Sequence, residues 1–392
     1  MKKVLLGTLA VLTLAACSKD EVVQQNPNDA ISFDVVTNKA VSRAADGYCN
    51  NNLPTEFNVW AAAQGKVYFE TEEYKDNSGT YKPTSGVMRY WPESGTVDFF
   101  ATKNEKGTPT FTVTGPTSLS FAGYTVEDAV SAQTDFIYAA TKDASKGTDG
   151  KVTLNFRHAL SQVEFKARNE NNKIYVKIDA VKVVNVKNSG TFTISDATTN
   201  NYVKHEHDDI AETDTRVGKG SWTAQGGNQS YEATLATPIG MKGGETIELT
   251  SNDGSAEFNT NTMYLMPHTL TRWVTGEGKA SESGKSYFMV KALIYNMPTA
   301  DSTPADQVVV WGKKNASDVY ESKYIAVSVP DGTEWQDGMR YVYTFVFTKD
   351  GNGGYDPDTN KPVLTPITLE VTVDDFVDAG NKDVKMQDPT IP

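Results

Sequence analysis

The chain has 392 residues, with 37 basic and 50 acidic side chains and a formal net charge of −13 at pH 7. This length predicts two domains, since a domain typically takes about 100 to 200 residues. The acidic balance argues against nucleic acid as a partner. The cysteines, Cys17 and Cys49, are too few for a disulfide framework.

The N-terminus has the pattern of a lipoprotein signal peptide, which we place at residues 1–17. Lys2 and Lys3 precede an apolar run, Val4–Ala16, that is shorter than the roughly 20 residues of a membrane-spanning helix. Small residues before Cys17 suit a lipoprotein signal peptidase. We therefore expect Cys17 to carry the acyl chains that anchor the mature protein, with membrane lipid as its partner and the cell envelope as its location.

Residues 18–43 combine a polar tether with a short strand. Ser18–Asn28 is rich in polar residues and predicts a flexible segment. The strand that follows has one buried face, because its apolar residues alternate with polar ones, and these apolar residues are Ile31, Phe33 and Val35. Ser42-Arg43-Ala44 then offers a trypsin-like protease one arginine among small residues. We hypothesise that cleavage between Arg43 and Ala44 frees the strand and activates the protein.

The rest of the chain predicts an all-β protein. Short segments rich in aromatic and β-branched residues recur at intervals of roughly ten residues, with turn signals between them and no long amphipathic helix. A polar break at Asn169–Lys173 predicts a boundary between an N-terminal β-sandwich, residues 44–170, and a C-terminal β-sandwich with a tail, residues 171–392. The last strand has strict alternation, with one apolar face made of Ile367, Leu369, Val371 and Val373.

Two segments have spacings that suggest metal ligands. His205, His207 and Asp209 could bind zinc or copper, but they lie in a polar segment that reads as a mobile loop. Asp356, Asp358 and Asn360 resemble the start of a calcium loop, but the glycine and the final glutamate of such a loop are missing. We therefore expect no metal and no cofactor.

No catalytic constellation is recognisable. The chain has no nucleophile elbow, phosphate loop or HExxH motif, and Cys49 has no thiolate-stabilising surroundings in the sequence. His158 follows an alternating segment at a predicted bend and reads as a core or turn histidine. A spatial pair of carboxylates for glycoside hydrolysis stays open, because such a pair leaves little trace in sequence. The expectation is that the protein is not an enzyme.

Several segments, in their order and spacing, resemble the fimbrillin family, the subunits of type V pili of Bacteroides-like bacteria. They are the Cys17 lipobox, Ile31-Ser-Phe33 followed by Ser42-Arg43-Ala44, Tyr90-Trp91-Pro92 with Val97–Ala101, Phe156–Phe165, and Trp335–Phe347 before the final strand. The resemblance implies two transthyretin-like β-sandwiches in tandem and a lipidated precursor at the outer membrane. It also implies an arginine-specific protease that cuts after Arg43, and assembly with other pilus subunits by strand exchange into a fimbrium that supports adhesion.

Two questions stay open at this point. Either Ile367–Val373 is part of a donor strand, or this subunit accepts a strand without donating one. The alternative function is a surface lipoprotein that binds glycans on a platform of tryptophans, chosen from Trp60, Trp91, Trp222, Trp273 and Trp311. The competing interpretation of these tryptophans is that they fill the cores of the sandwiches. The sequence does not name a surface receptor.

Overall fold

Strands make up nearly all of the secondary structure in the computed structural model. It describes residues 30–37, 53–104, 111–115, 118–147, 150–195, 220–250, 262–275, 277–297, 307–348, 354–363 and 367–375. Within these ranges the helical elements are two short 3-10 turns, Val130–Ala132 and Ala280–Glu282. The prediction of an all-β protein is confirmed.

Seven strands of the N-terminal half form a closed barrel in the order β1-β4-β3-β2-β5-β8-β9. This differs from the predicted sandwich, because β1 pairs with both β4 and β9 and so joins the two ends of the sheet. The strands up to this point, numbered in chain order, are β1 Ser32–Thr37, β2 Glu56–Ala63, β3 Lys66–Asp76, β4 Tyr81–Pro83, β5 Val97–Asn104, β6 Phe111–Gly115, β7 Ser118–Thr125, β8 Phe136–Ala144 and β9 Lys151–His158.

The C-terminal half contains two further sheets. One has the order β15-β10-β22-β23, with β16 also paired to β10, and the other has the order β14-β11-β17-β18, with β21 also paired to β17. The remaining strands are β10 Ser161–Asn169, β11 Ile174–Val186, β12 Ser189–Ser195, β13 Gly220–Gly226, β14 Gln229–Met241, β15 Thr246–Glu248, β16 Met263–Leu265, β17 Tyr287–Asn296, β18 Val309–Trp311, β19 Lys313–Lys314, β20 Tyr320–Glu321, β21 Lys323–Ser328, β22 Met339–Phe347 and β23 Ile367–Asp375.

Aromatic side chains join the two C-terminal sheets face to face. The ring of Phe165 on β10 stacks on Phe345 of β22 and meets Phe288 of β17 edge-on, with centroid distances of 5.6 and 5.2 Å. All three rings are fully buried. The two sheets therefore pack face to face as a sandwich, to which β10 contributes although it precedes the predicted boundary at residue 171.

A four-stranded sheet, β13-β12-β7-β6, covers part of the outside of the barrel. Phe192 on β12 contacts Phe136 and Tyr138 on β8, at centroid distances of 5.2 and 4.8 Å. This sheet joins the two halves of the chain. It takes β6 and β7 from the N-terminal half and β12 and β13 from the C-terminal half. β9 is the last strand in the chain that pairs within the barrel, and β10 is the first that pairs within the C-terminal sandwich. The change thus comes before the polar break at Asn169–Lys173.

Candidate functional site

The first strand occupies a slot between β9 and β4. It runs parallel to β9 along its whole length, from Ser32 opposite Lys151 to Thr37 opposite Phe156. On its other side it pairs with β4 at Phe33 and Tyr81, and the Ile31 N–H donates to the Arg89 carbonyl at 2.7 Å. β1 therefore pairs with β9 over its whole length but with β4 at a single aligned position.

The inward face of β1 is buried in the barrel. Ile31 and Phe33 are at most 1% exposed and Val35 is 8% exposed, as expected from their alternation with Ser32 and Asp34. Burying a large apolar side chain contributes roughly 1.5 to 3 kcal/mol, so the three together contribute about 5 to 9 kcal/mol before opposing terms. The strand acts as a hydrophobic plug in the barrel.

Phe33 is the centre of this plug. Its ring meets Tyr74, Phe99 and Phe57 edge-on, with centroid distances of 4.8, 5.4 and 6.1 Å and interplanar angles of 87°, 83° and 75°. Edge-to-face pairs add about 0.5 to 1.5 kcal/mol beyond the burial of area. The slot therefore has an aromatic cage at its middle position.

The outward face of β1 contributes much less. Lys151 Nζ lies 3.1 Å from Asp34 Oδ1, but the two side chains are 42% and 48% exposed. Exposed ion pairs contribute about 0 to 1 kcal/mol. Attachment of β1 thus depends on its apolar face and on its backbone ladder.

The candidate donor strand is paired within its own chain. Residues of β23 align antiparallel with β22 from Ile367 opposite Phe347 to Asp375 opposite Met339, at the edge of the sheet. Ile367 is fully buried, whereas Leu369, Val371 and Val373 are half-buried against the core. Arg168 Nη2 donates to Glu370 Oε1 at 2.7 Å and connects β10 to this edge.

Several predicted residues lie outside the described ranges: Cys17, Arg43, Ala44, Cys49, His205, His207 and Asp209. Lipidation at Cys17 and cleavage after Arg43 therefore stay predictions. Within the described ranges, no helix is long and apolar enough to span a membrane, and no group of three or more histidine, cysteine, aspartate or glutamate side chains could hold a metal ion.

His158 is buried at the end of β9, where the sequence predicts a bend. Its Nδ1 lies 2.8 Å from Asp135 Oδ2, and both side chains are less than 10% exposed. The sequence analysis did not find this carboxylate, because Asp135 comes 23 residues earlier in the chain. The pair joins the start of β8 to the end of β9 inside the fold.

The segment that resembles a calcium loop uses its first carboxylate internally. Asp356 accepts hydrogen bonds from the Lys323 ammonium and, at 3.1 Å, from the Asp358 N–H. Burial raises the pKa of Asp356, but these donors outweigh burial and the net pKa lies below its ordinary value. The Asp356 carboxylate is therefore already paired with a protein cation.

The tryptophans are core residues rather than a surface platform. All of them lie in the described ranges and none is exposed. Trp60 and Trp273 are 1% exposed and Trp91 is 8% exposed. Trp222 and Trp311 are half-buried, and their indole N–H groups donate to the carbonyls of Ala159 and Lys323 at 2.6 and 3.1 Å. These positions favour the interpretation of the tryptophans as core residues over the glycan-binding alternative.

The comparison with known families covers most of the chain: it begins after β1 and includes the other strands of the barrel and the C-terminal sandwich. A family model described as fimbrillin-like matches residues 42–375. The chain belongs to the fimbrillin-like family. This confirms the resemblance that the sequence motifs indicated.

Individual relatives of this fimbrillin-like chain are distant. Fimbrium subunit Fim1C of Phocaeicola vulgatus is 25% identical over 197 residues, which cover 41% of this chain and 50% of that protein. The chain thus spans about half the length of this curated relative. Among solved structures, a candidate cell adhesion protein from Bacteroides uniformis shares 11% identity, with 90% and 100% of the two chains covered and a TM-score of 0.42. The tip fimbrial protein Mfa3 from Porphyromonas gingivalis, with a C-terminal truncation, shares 10% identity, with 88% and 98% covered and a TM-score of 0.35.

Proposed function

We propose that this fimbrillin-like chain is a structural subunit of a cell-surface pilus that supports adhesion. It is made as a lipoprotein, anchored in the outer membrane through Cys17, and moves into the fimbrium after an arginine-specific protease cuts after Arg43. The observation that carries the proposal is the position of β1, which fills the barrel with three buried apolar residues. Family membership supports the same function.

Cleavage after Arg43 separates β1 from the rest of the barrel, because β2 begins only at Glu56. Loss of β1 exposes the ladder edge of β9 and the rings around Phe33, and an unpaired edge of this kind attracts another strand. A strand from a neighbouring subunit restores both the backbone hydrogen bonds and the buried side chains. The donor and acceptor surfaces differ, so the contact is heterologous and builds an open filament.

The domain organisation is part of the proposal. Residues 1–17 are the signal peptide, and residues 18–43 contain the tether and the removable strand. Two β units predicted at residues 44–170 and 171–392 follow, with β10 of the first range paired into the C-terminal sandwich. Other pilus subunits, of the same or another sequence, are the partners. A strand of a neighbouring subunit is the donor, and a surface receptor is the partner in adhesion.

Cleavage and assembly can be tested with two matched substitutions. Arg43→Ala should leave a monomer after treatment with an arginine-specific protease, whereas Lys39→Ala, four residues earlier in the same segment, should still form protease-resistant ladders on unboiled gels. N-terminal sequencing of protein from cell surfaces should give Ala44 as the first residue. Equal polymer formation by the Arg43→Ala protein would contradict the proposal.

Cys17→Ser should abolish lipid labelling, and normal labelling would refute the anchor.

A further inference from the structure

The cage around Phe33 restricts which strand can fill the slot. Three rings, those of Phe57, Tyr74 and Phe99, present edge-to-face contacts to one position, and this position lies between two aliphatic ones, those of Ile31 and Val35. An aliphatic side chain at the middle would leave part of the space empty, because protein interiors are packed too closely for neighbours to collapse freely. It would also lose the ring contacts.

The C-terminal stretch of this chain does not have the required pattern. The apolar face of β23 is aliphatic throughout, at Ile367, Leu369, Val371 and Val373. Phe376 is the one aromatic residue in the sequence after Val373. Asp374 lies two residues before it and Asp378 two residues after it. Placing Phe376 in the cage would bury two carboxylates in the positions of Ile31 and Val35, which is unfavourable without partners.

We propose that the slot vacated by β1 accepts a strand from another subunit that carries an aromatic residue between two aliphatic residues at alternate positions, and that Ile367–Val373 is not that strand. The inference rests on the proposed strand exchange. Lys151, which pairs with Asp34 at 3.1 Å, favours an acidic residue beside the aromatic one. The partner strand is therefore of the type aliphatic, any, aromatic, acidic, aliphatic.

The test uses the full chain, cleaved after Arg43 and freed of its N-terminal fragment by gel filtration. Fluorescence anisotropy measures the binding of three labelled peptides: the sequence 30–37, the same peptide with Phe33→Leu, and the sequence 367–375. The first should bind at least tenfold more tightly than the other two, a difference of about 1.4 kcal/mol. Because the changes are in the peptides, the result does not depend on refolding a variant.

Two variants of the cleaved chain assign the preference to the cage. Phe99→Leu should reduce the preference for phenylalanine over leucine at least threefold. Tyr74→Phe is the control and should retain the preference, because it keeps the ring, and the Tyr74 hydroxyl is buried without a hydrogen bond among the described residues. Retention of the full preference by Phe99→Leu would contradict the role of the cage.

The other outcomes separate the two proposals. If the 30–37 peptide binds but the leucine peptide or the 367–375 peptide binds equally well, the selectivity is wrong and strand exchange stands. If none of the peptides binds to the cleaved chain, strand exchange in this slot is wrong, and the selectivity is wrong with it.

Discussion

Replacing Phe33 by alanine in the uncleaved chain measures how firmly the barrel holds its first strand. The ring is 1% exposed, so its truncation removes buried surface and leaves a cavity between Tyr74 and Phe99. Substitutions of this kind cost about 3 to 5 kcal/mol. Asp34 is the next residue, on the opposite face, and its exposed ion pair with Lys151 predicts a cost below about 1 kcal/mol for Asp34→Ala.

Amide hydrogen exchange in β9 is the assay, because local opening of β1 removes protection from the β9 amides that face it. A cost of about 3 kcal/mol corresponds to exchange more than a hundredfold faster in the Phe33→Ala protein. The Asp34→Ala protein should stay within about fivefold of the parent chain. Equal protection of β9 in both variants would show that the apolar face does not hold the strand.

Two further predictions concern the slot and the C-terminal half. Asp34 and Thr153 are aligned partners on β1 and β9, so the double substitution Asp34→Cys and Thr153→Cys should form a disulfide that keeps β1 in place after cleavage. Polymer should then appear only with reductant, and single Asp34→Cys protein should polymerise without it; polymer from the oxidised double variant would contradict strand release. Burial lowers the pKa of His268, as does the nearby Lys187 charge, while its bond to the Met266 carbonyl acts in the opposite direction. Because the folded pKa lies below the ordinary 6.5, the unfolded chain takes up its proton first, so the free energy of unfolding falls as the pH drops from 6.5 towards the folded pKa and levels off below it. The free energy of unfolding should lose at most about 1.4 kcal/mol per pH unit from this group, and His268→Gln should flatten that part of the pH profile of urea unfolding; an unchanged profile would contradict the assignment.

Strands with strict alternation could be predicted from the sequence. Ile31, Phe33 and Val35 are buried while Ser32 and Asp34 are half-buried, because successive residues of a strand point to opposite faces. The same rule predicts β23, where Ile367 is buried and Thr368 is exposed. The all-β class and the family could also be predicted, since both depend on short segments read in order.

Pairing between distant strands could not be predicted. The parallel alignment of β1 with β9 joins Phe33 to Val152, and nothing in either strand's own sequence encodes that partner. Closure of the barrel depends further on one aligned pair between β1 and β4, Phe33 opposite Tyr81. The neighbour of His158 was missed for the same reason, because only the pairing of β8 with β9 brings Asp135 to it.

In the proposed mechanism, cleavage after Arg43 would change the balance of forces on β1 without altering its contacts with β4 and β9. While the chain is intact, β1 is tethered beside its slot, and the effective concentration of a short tether is in the millimolar range. After cleavage the strand must bind as a separate molecule, which costs about 4 to 15 kcal/mol in lost translational and rotational freedom. Its three buried side chains contribute about 5 to 9 kcal/mol before opposing terms, and the ladder to β9 adds to this. Loss of the tether therefore weakens the attachment of β1 and lets a strand that a neighbouring subunit holds nearby compete for the slot.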